Sequence, residues 1–182
     1  FTDAEIAVMA SSHSGESVHT DTVLGLFRTF DLDPVLLRIT PGWPMDQATR
    51  EQLIREGANA PASIYADCSG KHAGMLAHCV QQQWVTNGYH RASHPMQQRV
   101  VSTLAKWMRI NPSGIAKAVD GCGLPTFAMA LDAGFAGADH VAAAVEGAGR
   151  SLRQPADVHR IAIQRGGNAR AAVVVSRRPS GL

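Results

Sequence analysis

Cys68-Ser69-Gly70-Lys71-His72, answered far along the chain by Asp120-Gly121-Cys122-Gly123, decides how this sequence is read. A thiol and an amine three residues apart lie on one face of a helix's first turn. Free N–H groups at a helix start stabilise negative charge, and the Lys71 ammonium adds to it, so thiolate character is expected at Cys68. Glycines flank Cys122 and allow a tight turn that brings its thiol close to a ligand. Two sulfurs and an amine converging on one point make either a metal site or a nucleophile with its base. The same spacing also fits two half-buried thiols beside a surface lysine.

Outward from that segment, the sequence predicts a helix from about Gly70 to near Asn87-Gly88, with Met75, Leu76, Cys79, Val80 and Trp84 apolar. Cys79 reads as a core thiol. Upstream, Thr2 and Glu5 form a capping box for a short helix that stops at Ser11-Ser12-His13-Ser14-Gly15-Glu16. Asp21 or Thr22 is expected to start the next helix, which Asp33-Pro34 breaks. Asp46 caps a third helix to about Gly57. Downstream, His94-Pro95 opens a helix with Val100, Val101, Leu104, Trp107 and Met108 inward. Ile115 to Val119 reads as a strand delivering Asp120, and Pro125 as the start of a helix through Leu131. A helix over 138–149 and strands over 158–163 and 171–175 complete a mixed α/β pattern, helix-rich with a few strands.

Composition narrows the function classes. The chain has 182 residues, 45% hydrophobic and 18% charged, which is globular rather than disordered. A formal charge of +2 gives no reason to expect nucleic acid. No apolar run has the length of a membrane span and no signal peptide opens the sequence. Three cysteines are an odd count for a disulfide framework, so reduced thiols in a cytoplasmic protein are expected.

The loop Ser12-His13-Ser14-Gly15-Glu16 is a second candidate, because hydroxyls beside His and Glu can supply a nucleophile with its hydrogen-bond partners. It also reads as a turn whose serines bond to backbone. Asp120 could hold the α-amino group of an amino acid or simply end a strand. His72 could orient a ligand from the first helical turn.

Four stretches together resemble the asparaginase II family, the Rhizobium-etli-type thermolabile L-asparaginases. They are Ala10 to Glu16, Cys68 to Ala77, His94-Pro95-x-Gln97, and Asp120 to Ala128. The resemblance covers about Thr2 to Phe135. It implies a fold similar to serine β-lactamases and glutaminases, with a helical lobe beside an α/β lobe. It also implies hydrolysis of L-asparagine to aspartate and ammonia by serine–lysine acyl transfer, beside a zinc ion held by two Cys and one Lys. Residue by residue, the metal set falls on Cys68, Lys71 and Cys122. His72 and Asp120 match substrate-pocket positions. The serine of the Ser-His-x-Gly-Glu stretch falls on Ser12, with Ser14 the alternative register, and Glu16 supports that loop.

The family's Arg-Ser-x-x-Lys-Pro nucleophile segment has no counterpart here, since no Ser-x-x-Lys occurs in these 182 residues. A downstream Lys-x-Gly-Ala-Glu-Gly segment is missing too. Residues 1–182 are therefore expected to be a single domain lacking the family's N-terminal segment and part of its C-terminal segment, inactive alone. Three functions follow: an L-asparagine amidohydrolase, a non-catalytic protein binding zinc and an amino acid, or a metal-free enzyme with Cys68 as nucleophile and Lys71 as base. The expected partner is the small molecule L-asparagine, with no nucleic acid and no membrane, and a homodimer is left open.

Overall fold

The structure, a computed structural model, describes residues 1–128. Expected elements beyond residue 128 lie outside it. Within it run five α-helices and one antiparallel hairpin: α1 (Asp3–Ala10), α2 (Ser17–Thr29), α3 (Gln47–Arg55), α4 (Ser69–Gln81), α5 (Pro95–Met108), β1 (Ala116–Val119) and β2 (Pro125–Ala128). The described part is thus helix-rich with two strands. None of its helices is long and apolar enough to cross a membrane.

Helix starts follow side-chain caps. The Glu5 amide donates to Thr2 Oγ1 at 3.3 Å while the Thr2 amide donates to Glu5 Oε2 at 2.7 Å, closing the capping box of α1. Asp46 Oδ1 accepts the Thr49 amide at 2.7 Å and starts α3. His94 Nδ1 accepts the Met96 amide, and Pro95 supplies a ready-made φ for α5. Helix α2 departs from expectation: it starts at Ser17, four residues before Asp21. Its N-cap Glu16 makes no capping bond, because the carboxylate is engaged by Ser14 and His19 instead.

Pro125 opens a strand rather than a helix. It pairs with Val119 at the end of the two-stranded ladder, where its missing N–H costs little. Trp107, expected inward on α5, is 39% exposed, and the buried stripe of that helix runs instead through Met96, Gln97, Val101 and Ala105. Helix α4 stops at Gln81, short of Asn87-Gly88, because Gln83 turns left-handed at φ 57°.

The core gathers α1, α2 and α4 around Val8, Val23, Leu26, Phe27 and Leu76, and extends through Tyr89 to Cys122 and Leu124. Val23 and Leu76 are completely buried, and each such side chain contributes about 1.5–3 kcal/mol. Helix α1 packs onto α4 through Gly70, where an added Cβ would lie 2.1 Å from the Val8 carbonyl oxygen. A second, smaller cluster joins Val101 and Ala105 of α5 to Ile115.

Candidate metal centre

Two elements build the site. Cys68 is the residue just before α4, and Lys71 lies in its first turn. The other half is the loop Asp120 to Leu124 between β1 and β2. Its backbone closes on itself: the Asp120 amide donates to the Leu124 carbonyl at 2.8 Å, and the Gly123 amide to the Asp120 carbonyl at 2.9 Å. The Gly121 amide donates to Asp120 Oδ1 at 2.8 Å, fixing the carboxylate. The Cys122 thiol lies 3.4 Å from Asp120 Oδ2, and Lys71 Nζ lies 3.8 Å from the same oxygen.

The ligand atoms of Cys68, Asp120 and Cys122 all lie within 4.8 Å of one another. Two sulfurs and a carboxylate that close are a donor set suited to a tetrahedral N/S/O cation such as zinc. The residues present therefore fit a metal ion. Above them opens a cavity of 330 Å³, bounded by Ile39, Thr40, Trp43, Met45 and Asp67 as well as the cluster itself.

Electrostatics in the metal-free protein correct one expectation. Burial pushes the Cys68 thiol up to about 11, with Asp67 and Cys122 adding to it and Lys71 opposing. The helix end and one ammonium do not overcome that burial. Burial also works against the Lys71 charge, yet the two thiols and Asp120 outweigh it and raise its pKa. With burial pushing its thiol up, Cys68 is not a ready nucleophile, so this site does not favour Cys68 with Lys71 as a metal-free catalytic pair. The Asp120 carboxyl is held below the usual range by the Gly121 amide first, then by the Cys122 thiol and Lys71.

The serine loop faces a separate cavity of 560 Å³ between α1 and α2, which Ser12, His13, Ser14, Glu16 and His19 all line. Ser12 is exposed and its hydroxyl makes no hydrogen bond among the described residues, whereas the Ser14 hydroxyl donates to Glu16 Oε2. Glu16 Oε2 also lies 3.1 Å from His19 Nδ1. The loop is anchored to the cluster side by backbone and side chain alike: the His13 amide donates to Asp67 O at 3.1 Å, and His13 Nε2 meets Ser69 Oγ at 2.8 Å. Since the Ser69 hydroxyl donates to Ile64 O at 2.9 Å, His13 is the donor to Ser69. At Gly15, φ is +88° and a Cβ would lie 2.9 Å from Pro44 Cα, so the loop turns there only as glycine.

Of the sequence-derived set, Cys68, Lys71, Asp120 and Cys122 are brought together, while Ser12 and Glu16 line the neighbouring cavity. His72 lines neither. It is fully buried, with Nδ1 2.6 Å from the Tyr89 hydroxyl, and burial pushes its pKa down to about 4. Tyr89 itself escaped the sequence reading. An aromatic with a polar tip in the polar run Thr86-Asn87-Gly88-Tyr89-His90 is the one signal that pointed to it.

The sequence profile of the L-asparaginase II family matches residues 1–165. The chain belongs to that family. No curated protein matches it significantly. For an L-asparaginase II family member, hydrolysis of L-asparagine is the activity the family suggests, and the Cys68–Asp120–Cys122 group is a place where a metal ion could sit.

Proposed function

We propose that this chain is the metal-binding and substrate-facing part of an L-asparagine amidohydrolase, built on a serine β-lactamase/glutaminase-like fold and using serine–lysine acyl transfer. The observation that carries this is the convergence of Cys68, Asp120 and Cys122 in a member of the L-asparaginase II family. Cys68, Cys122 and Lys71 are the zinc ligands of this reading, with Asp120 within reach of the same point. Bound zinc keeps both sulfurs as thiolates and supplies positive charge beside the pocket.

In this reading Asp120, ionised and fixed by the Gly121 amide, accepts the α-ammonium of asparagine. The attacking hydroxyl in this reading is that of the family's Ser-x-x-Lys serine. It adds to the side-chain carboxamide carbon, its proton leaves with ammonia, and water releases aspartate from the ester. Ser12, or Ser14 in the alternative register, supplies a supporting hydroxyl from the neighbouring loop. The His13–Ser69 hydrogen bond holds that serine loop against the helix that carries the metal ligands.

Ammonia release from L-asparagine, measured together with binding of L-aspartate by calorimetry, tests the proposal. Without a Ser-x-x-Lys pair the 182 residues are expected to bind aspartate yet release no ammonia above background. Asp120→Asn should weaken that binding about tenfold or more, the scale of a lost charged hydrogen bond. Unchanged binding in Asp120→Asn would remove the substrate role. Robust ammonia release by this chain would remove the need for the missing pair. Aspartate binding that persists where a Ser-x-x-Lys segment is supplied in trans without turnover favours the non-catalytic binding protein.

A further inference from the structure

Tyr89 lies between α4 and α5, outside both cavities, and is 1% exposed. Its hydroxyl has two partners. The Arg38 amide donates to Tyr89 Oη at 3.1 Å, and His72 Nδ1 lies 2.6 Å away. A backbone N–H can only donate, so the phenolic oxygen accepts from Arg38, and among the described residues His72 Nδ1 is the one acceptor in reach of its hydrogen. Using that hydrogen assigns the lone pair to Nδ1 and the ring hydrogen to Nε2, a buried atom with no partner among the described residues. Nothing in the ring alone makes that choice. The Tyr89 carbonyl is fixed as well, accepting Gln97 Nε2 from α5 at 2.9 Å.

The two partners of that one hydroxyl belong to two separate chain segments that each reach the cluster pocket. His72 follows Lys71 directly and lies one turn beyond Cys68. Arg38 precedes Ile39 and Thr40, which line the pocket. The Asp120–Leu124 loop, which lines the same pocket through Asp120, Gly121 and Cys122, also passes close to Arg38: a Cβ built on Gly123 would sit 3.6 Å from the Arg38 carbonyl oxygen. The Arg38 backbone thus meets Tyr89 through its N–H and lies close to the ligand-bearing loop at its carbonyl. Cys122, Leu124, Leu37 and Tyr89 also share one core cluster.

We propose that Tyr89 is a positioning residue of the metal centre, whose buried hydroxyl spaces the Cys68 and Cys122 segments and sets the tautomer of His72. This rests on the metal-centre reading only for its effect on the cation. The tautomer stands independently of it. Outer partners of this kind tune metal sites because ligands held loosely must be ordered when the ion arrives.

Two measurements test it on the full chain. Two-bond ¹H–¹⁵N spectra of the metal-free protein should show His72 as the Nε2–H tautomer, and Tyr89→Phe should abolish that preference. Titration with Co²⁺ alone, followed by the thiolate-to-cobalt absorption, should show about 10–100-fold weaker binding in Tyr89→Phe. Val101→Ala in the separate α5 cluster serves as the control, destabilising the fold without weakening Co²⁺ binding. A parent His72 in the Nδ1–H form would overturn the proposal, even if Tyr89→Phe fails to fold. So would cobalt affinity in Tyr89→Phe within about twofold of the parent, or an equal loss in Val101→Ala. A parent that binds no Co²⁺ while His72 stays Nε2–H would defeat the metal reading and keep the tautomer assignment.

Discussion

The two halves of the candidate metal centre are built to different standards. Cys68 and Lys71 belong to the start of α4, a helix that buries Ala73, Leu76, Ala77 and Cys79 and is braced by α1 and α2. Asp120 and Cys122 ride on the tip of a hairpin with four-residue strands, where Val119 is 77% exposed. Two short strands alone are marginal in water. The hairpin is seated by Cys122 and Leu124 reaching back into the main core rather than by its own ladder. The comparison teaches that one half of the donor set is carried by the scaffold and the other is delivered to it. Damage to the first half should register as lost stability, and damage to the second as lost ligand affinity.

The largest effect is expected at Gly70. Gly70→Ala places a methyl group 2.1 Å from the Val8 carbonyl oxygen, which is backbone and cannot swing aside. A loss of about 3 kcal/mol or more is expected in urea unfolding, at the upper end for overpacking. A variant within experimental error of the parent would show that α1 and α4 can separate freely.

Acid should also single out the α4 half. Burial first, then Lys71 and His90, push His72 from 6.5 to about 4, with Asp120 opposing. Above 6.5 neither folded nor unfolded chain protonates this residue, and its contribution is whole. As pH falls below 6.5 the unfolded chain takes up the proton first, so stability drains away down to about pH 4, by about 3 kcal/mol in all. Buried His13 is shifted in the same direction and adds to the slope. Urea melts between pH 7 and pH 4 check this, and a slope equally steep in His72→Gln would assign it elsewhere.

On the hairpin side, Cys122→Ala should remove most bound zinc, measured by metal analysis after dialysis, while changing metal-free stability by only about 1 kcal/mol. Cys68→Ala should lower zinc equally. Full zinc in both variants would dissolve the metal centre. The smallest effect belongs to Gly121→Ala, whose methyl would meet nothing within 4 Å; stability should stay within about 0.5 kcal/mol of the parent. A large loss there would mean that the tip is as tightly bound as α4, and the contrast would fail.

Legibility in the sequence followed the side chains that do visible local work. Thr2, Asp46 and His94-Pro95 announced three helix starts because each caps through its own atoms. Helix ends were harder. All four of the longer turns from helix to loop close with the same pair of backbone bonds, as in Trp84 N–H to Cys79 O at 2.8 Å and Leu32 N–H to Phe27 O at 2.8 Å. Only at Gly57 is the left-handed residue a glycine; at Asp31, Gln83 and Arg109 it is not. That is why the end of α3 was legible and the end of α4 was placed too late. The meeting of Cys68 with Cys122 was one of two readings that the residues left open, favoured by the family resemblance, and Asp120 as a third donor beside them was not foreseen. Nor was the Tyr89 bridge, because a single buried hydroxyl leaves no periodic trace.

The meeting of Gly70 with Val8 has a consequence for how this protein can vary. There the two main chains already touch with nothing between them, so no exchange of side chains can draw α1 closer to α4. The Ser12 loop follows α1 directly, and its distance from the sulfurs is thereby set by the thickness of the polypeptide itself. Variation could retune almost any other dimension of the site by adding or trimming a methylene, but this one has a hard stop.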